Sequence, residues 1–465
     1  MTDLVGAACD GVATNDPGAQ ISRPRPRIHF TAESGWINDP HGIRYADGQY
    51  HLFYQFNPAG TIWSHVCHWG HAVSRDLMHW TRLPTALSPR QDEGGCWSGA
   101  TLFQNGRLTI AYTSVPPDDW GRGRVALAHA DSRGVHWTST PEDIVIDGPP
   151  AELGAYAFRD PCIFASEGGW TMIVGAGLEG GVGAALQYSS PNARDWHYDG
   201  VLCSRPGSES GDTWTGALWE CPQLIRLGDD WALLISVWED DTLHYVAGAV
   251  GTYDGKRFTP ERWTRLTHDD TAYALTSFTD FSGRRCVMAW LREDPQHDPS
   301  SSPWAGALSL PMVIEVANDR ILRLRPHPDV DGLRMFSGLT SGPLTPGRDI
   351  VIPDATTGID VSVTTDRTQP VTLTLTDPAG LLLTVTVDPT IPGVVVSRPG
   401  RDPVTVPIAG DQVRVLLDAD LVEIFGGQGS GAFRVPVRIT ADLHISGTAS
   451  DITVHRLAPA MEGGR

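Results

Sequence analysis

The sequence holds no run of about 18 apolar residues, so nothing in it reads as a membrane-spanning helix. Its first twenty or so residues are small and polar and lack an apolar core of signal-peptide length, which leads to the expectation of a cytoplasmic chain. Cysteine is scarce: the seven residues are an odd number without paired spacing, which fits a reducing compartment better than a disulfide framework. No stretch of any length repeats apolar residues at helical period, so helices do not organise the fold. Positive charge is also in deficit, with 35 basic residues against 55 acidic ones and a net charge of −20. That balance excludes nucleic acid as a partner and disfavours a polyanionic substrate, and no membrane partner is expected. It leaves the oligomeric state open.

What is present is turn and aromatic content. There are 50 glycines and 35 prolines, enough for a chain that reverses direction many times, and 16 tryptophans, whose faces suit both apolar packing and sugar stacking. The stretch Trp36-Ile37-Asn38-Asp39-Pro40-His41-Gly42 sets a carboxylate inside a turn-rich motif between two apolar, aromatic segments. Alone, Asp39 reads as an Asx-turn residue.

The chain then repeats that position. Motifs at Trp36–Pro40, Trp97–Ala100, Phe158–Pro161 and Trp219–Pro222, with a weaker one at Tyr273–Thr276, recur at about sixty residues. Each is followed by a strongly apolar strand, at Tyr50–Phe56, Leu108–Thr113, Trp170–Gly175, Trp231–Trp238 and Arg285–Leu291. A third strand of smaller residues follows, the last of them at Ala307–Val316, and four repeats end on an aromatic: Trp80, Trp137, Trp196 and Phe258. A motif in phase with three or four strands per unit is the pattern of β-propeller blades; β-helix repeats are shorter, and sandwiches do not repeat a motif in phase. The expectation is an all-β chain: a flexible N-terminal tail over 1–27, a five-bladed propeller over 28–325, a linker over 326–337, and a β-sandwich over 338–465 built from alternating Val, Thr and Leu runs. The sandwich strands include Phe433–Arg438.

Propeller geometry turns equivalent residues toward one channel mouth. Asp39, Asp160 and Glu220 are read as equivalent points of three blades, so three carboxylates converge there. Converging acids repel one another and resist desolvation, an arrangement that suits acid–base and nucleophilic chemistry on a glycosidic bond rather than stability. Asp39's charge and the adjacent Trp219 are expected to raise the pKa of Glu220, and Arg159 to keep Asp160 ionised. His65, His68 and His71 are not read as a metal site, because strand spacing scatters them and no Cys or carboxylate framework accompanies them. No cofactor is expected, and Cys221 is read as inert packing.

The ordered motifs resemble glycoside hydrolase family 32, the invertases, fructanases and sucrose-6-phosphate hydrolases. The resemblance rests on Trp36–Gly42, Leu52–Pro58, His68–Ser74, Trp97-Ser98-Gly99, Phe158–Pro161, Glu220-Cys221-Pro222, Met288-Ala289-Trp290 and Leu308–Pro311, and in the last segment on Asp418 and Leu421–Phe425. It implies a five-bladed propeller plus sandwich and a retaining β-fructofuranosidase acting on a small fructoside. It also implies Asp39 as nucleophile, Glu220 as acid/base and Asp160 as the residue that holds fructose hydroxyls and stabilises the transition state. Asn38, Gln55, Trp63, Ser98 and Trp290 match positions that line the family's fructose pocket. Trp97 adds a wall, Arg159 flanks Asp160, and Tyr273 is placed in the weaker fifth motif. Fructosyl transfer, phosphorylated sucrose and fructan chains remain alternatives. His41 departs from the family's usual Asn and leaves the leaving-group side open.

Overall fold

The computed structural model describes residues 23–460, apart from 105, 132, 212, 296–297, 299–300, 337, 366–367 and 438–439. Residues 1–22 of the expected tail lie outside the described residues. The chain is nearly all-β; the helical segments among the described residues are short 3-10 turns such as Pro328–Leu333, which falls where the linker was expected.

Five antiparallel sheets follow one another along residues 35–326, each opened by one strand: β1 (Gly35–Ala46), β2 (Gly95–Gln104), β3 (Ala155–Ser166), β4 (Leu218–Leu227) and β5 (Ala272–Thr279). Each pairs with the next strand in sequence because both are rich in β-branched and aromatic residues and a short turn joins them. The opening strands neighbour one another in the order β1, β2, β3, β4, β5 and back to β1, which closes a ring. The closure is reinforced by Trp304–Ala305, which returns from the fifth unit to pair in parallel with Gly35 and Trp36 of the first sheet. The third strand expected at Ala307–Val316 is two pieces, Ala307–Leu308 and Met312–Val316, because Pro311 has no N–H to continue the ladder.

Two six-stranded sheets form the remainder, and their Val, Leu and Ile side chains make one core between them. The strand expected at Phe433–Arg438 is instead Ser430–Arg434, and Pro436 lies just beyond its end. Strands at Thr340–Leu344, Ile350–Ile352, Val404–Pro407 and Asp442–Gly447 were not anticipated.

Buried polar contacts lock this part onto the ring. Asp418 accepts from the backbone N–H groups of Arg27, Ile28 and His29 and from the His29 ring, whose other nitrogen lies 3.0 Å from Glu423. Arg434 donates to the backbone oxygens of Leu291 and Arg292 and to Asp420. Residues 23–27, assigned to the tail from sequence, are anchored: Arg23 bridges Glu293 and Asp420 and lies over Trp304.

Candidate active site

In every opening strand the pairing register shifts at the repeated motif. The breaks fall between Ile37 and Pro40, Trp97 and Gly99, Arg159 and Cys162, Glu220 and Gln223, and Tyr273 and Thr276. A bulge inserts an unpaired residue and re-aims side chains that a regular strand would alternate between faces. Asp160, Cys221 and Ala274, each the residue after the last paired one, take positive φ of 64°, 47° and 51°. Five equivalent bulges therefore face one centre.

They correct the sequence register. Glu220 is equivalent to Arg159 and Tyr273, the last paired residues of their strands, and Asp160 is equivalent to Cys221. The equivalence holds across space, since Arg159 bonds Glu220 and the Cys221 N–H bonds Asp160, both pairs 61 residues apart. Glu220 and Asp160 thus occupy consecutive bulge positions, not the same one.

The bulges bring the three carboxylates together. The Cys221 thiol lies between two of them, 3.7 Å from Asp39 Oδ2 and 3.6 Å from Asp160 Oδ2, and the Cys221 N–H donates to Asp160 across 2.9 Å. Ser98 donates to Asp39 Oδ2 at 2.7 Å, Gln55 to the same oxygen at 3.3 Å, and Asn38 to Oδ1 at 3.1 Å. Glu220 is held on both oxygens, by Arg159 at 3.1 Å and by the Tyr273 hydroxyl at 2.9 Å. Gly42 closes the first motif at φ 58°, where a Cβ would meet Thr101 at 2.6 Å.

Burial raises the pKa of all three acids. For Asp39 the hydrogen bonds of Ser98 and Asn38 work against the rise. For Glu220, Arg159 opposes it and the charge of Asp39 adds to it. Asp160 is raised by burial and then by Glu220. This corrects the expectation for Asp160: the Arg159 guanidinium forms its ion pair with Glu220 and does not hold Asp160 in the ordinary carboxylate range. Trp219 is fully buried with its indole N–H on the Thr215 carbonyl, in the apolar cluster that includes Trp263.

The other expected site residues fall around this centre. Trp97 underlies the Arg159 guanidinium at 4.9 Å. Trp63 is 41% exposed with its ring 6.0 Å from Trp97, and Trp290 meets Trp36 edge-on at 5.7 Å. Two residues were missed. Trp36 donates to Asn38 and so braces the residue beside Asp39; it heads the motif, which was the available signal. Trp120 stacks on Trp97 at 6.5 Å and comes from a loop between two strands of the second sheet, where periodicity carries no signal.

His41 packs against Trp69. It is buried, its ring lies 3.8 Å from that of Trp69, and burial alone holds it neutral. Neither ring nitrogen of His41 has a hydrogen-bond partner among the described residues. His68 bonds Ser88 and His71 pairs with His51, so the His65–His68–His71 set does not converge. Asp280, Cys286 and His327 do cluster, but Asp280 is spent on Arg284 and His327, and His327 accepts from the Asp329 N–H, so the group is a bonded turn.

Residues 29–326 match the model of the glycosyl hydrolases family 32 N-terminal domain. The chain belongs to glycoside hydrolase family 32. It is 32% identical over 335 residues to a sucrose-6-phosphate hydrolase of Zymomonas mobilis, a match spanning 68% of this chain and 64% of that protein. It is 34% identical over 325 residues to a levanase of Bacillus subtilis, spanning 63% of this chain and 45% of the levanase. The matched region is thus under two thirds of these relatives' own length. In structure the chain is similar to a family 32 β-fructofuranosidase of Bombyx mori, with a TM-score of 0.82 and 26% identity over 94% of this chain and 95% of that one. A variant of the silkworm enzyme has been solved in complex with sucrose.

Proposed function

We propose that this family 32 chain is a retaining β-fructofuranosidase that hydrolyses sucrose or short fructo-oligosaccharides through a covalent fructosyl-enzyme. The observation that carries the reading is the meeting of Asp39, Asp160 and Glu220, from the bulges of the first, third and fourth sheets, around Cys221. A protein that only bound sugar would gain nothing from three mutually repelling acids drawn partly out of water.

In the first step Asp39 attacks the anomeric carbon, a bond forms to its carboxylate oxygen, and the bond to the leaving oxygen breaks as Glu220 gives that oxygen a proton. Oδ1 is the attacking oxygen, since it carries one donor whereas Oδ2 accepts from both Ser98 and Gln55. In the second step Glu220, now a carboxylate, takes a proton from water, the water oxygen bonds the same carbon, and Asp39 is released. Burial and Asp39 keep the proton on Glu220 at rest, while Arg159 and Tyr273 stabilise the carboxylate it becomes. Asp160 receives the fructose hydroxyls that share its charge, and Trp63, Trp97 and Trp290 supply apolar faces around the ring.

The same reading takes the five sheets as blades of a five-bladed β-propeller over 28–325, and the two six-stranded sheets as a β-sandwich over 338–465. The ring of opening strands and the shared core of the two sheets support it. No helix among the described residues is long and apolar enough to cross a membrane. The six described cysteines are free, buried thiols, which supports action in the cytoplasm on an imported sugar.

Released fructose, measured across sucrose, sucrose-6-phosphate, inulin oligomers and levan, tests the reading. Asp39→Ala and Glu220→Gln should each lose roughly a thousandfold or more in kcat. Near-wild-type turnover in either variant, or transfer oligosaccharides as the main product at high sucrose, would overturn it.

A further inference from the structure

Beyond the carboxylate centre the opening strands continue into a second concavity of about 1290 Å³. Arg44, five residues past Asp39 on β1, lines it, as does Arg285 from the strand paired with β5. No described carboxylate lies within ion-pair distance of Arg44 or Arg285. Arg44 donates to the Thr101 carbonyl at 2.9 Å and to its hydroxyl at 3.4 Å, and Arg285 donates to the Thr279 hydroxyl at 2.9 Å. Both are half-buried, and burial holds each below the ordinary arginine range; the Arg285 charge pushes Arg44 down further.

The acids around the cavity do not neutralise them. Asp280 is held by Arg284 and His327, Asp199 accepts from Gln187 and Ser189, and Glu167 is exposed on the rim. The chain's single lysine, Lys256, also borders the space. Along one edge Tyr45 and Phe281 are 41% and 65% exposed with rings 6.1 Å apart, an apolar face left in contact with solvent. Two desolvated guanidinium groups that repel each other cost stability until an anion sits between them, and guanidinium geometry matches phosphate oxygens in pairs. An aromatic edge beside such an anion site takes the ring of an organic phosphate.

We propose that this cavity binds a sugar phosphate, its phosphate held between Arg44 and Arg285 and its ring laid on the Tyr45–Phe281 edge. The lining of the cavity includes none of the three carboxylates, and the fructosidase reading enters only through the fructose and sucrose controls of the test.

The test is calorimetric titration of the full chain with inorganic phosphate and with glucose 6-phosphate, with fructose present in excess to fill the carboxylate centre. One site is expected, tighter for glucose 6-phosphate than for phosphate. Arg44→Gln and Arg285→Gln should each weaken it at least about tenfold, the loss of one or two charge-assisted hydrogen bonds. Phosphate should raise the melting temperature of the parent chain and not of either variant, while sucrose turnover stays unchanged and reports intact folding. No binding up to about 10 mM, equal binding by the variants, or displacement by fructose would overturn the site. Equal affinity for the two probes would overturn the sugar-phosphate assignment.

Discussion

The Tyr273 hydroxyl donates a hydrogen bond to Glu220 across 2.9 Å. It favours the carboxylate form and so lowers the pKa that burial has raised. Tyr273→Phe removes this restraint, so Glu220 should hold its proton to higher pH. The alkaline limb of kcat/KM should move upward in pH, and kcat at neutral pH should fall about tenfold, because the carboxylate needed in the second step is less stable. A pH–rate profile on sucrose checks both; an unmoved alkaline limb would separate Tyr273 from the acid/base.

Ser98 acts on the other partner. Its hydroxyl donates to Asp39 Oδ2 at 2.7 Å and helps to hold a buried carboxylate in its charged form. Ser98→Ala should raise the pKa of Asp39, move the acidic limb of kcat/KM to higher pH, and lower kcat by roughly ten- to a hundredfold. Rapid-mix measurement of the fructosyl-enzyme should show slower formation with hydrolysis little changed.

His29 ties the ring to the two terminal sheets. Burial opposes its protonation, but Asp418 and Glu423 outweigh that and raise its pKa to about 9. A pKa raised on folding gives stability that is complete below the unfolded value of about 6.5 and is lost as pH rises through about 9. Urea unfolding from pH 6 to 10 should show a decline on the order of 3 kcal/mol that is absent in His29→Gln.

Arg434 should prove the costlier contact to break. It joins Asp420 to the backbone oxygens of Leu291 and Arg292 with its side chain almost fully buried. Arg434→Ala leaves Asp420 with Arg23 as its remaining partner and two carbonyls without a donor, at a cost of about 3 kcal/mol. Differential scanning calorimetry should show a lower melting temperature, with catalytic constants at low temperature close to those of the parent chain.

The repeat was legible because each unit needs the same alternation of apolar strand, turn and smaller strand to bury its faces. Period sufficed to find the motif residues, yet it misassigned Glu220, which lies in register with Arg159. The cause is the bulge: it adds a residue on one strand and not on its partner, so distance along the chain and position in space differ by one. Arg159 was read beside Asp160 for a similar reason. Sequence adjacency suggested an ion pair, but the paired strand geometry sends the guanidinium across to the next sheet and onto Glu220. Trp120 had no periodic signal because it sits in a loop, and the Arg44–Arg285 pair had none because it joins segments of the first and fifth sheets, which meet only after the ring closes.

The sequence by itself determined the all-β class, the repeated motif and which acids belong to it, because local alternation and turn chemistry are written residue by residue. Only the tertiary structure decided which acid faces which partner, that His41 packs on Trp69, and that the thiol of Cys221 lies between Asp39 and Asp160. Those outcomes depend on ring closure and on left-handed backbone at the bulges, which set directions that no one-dimensional spacing encodes.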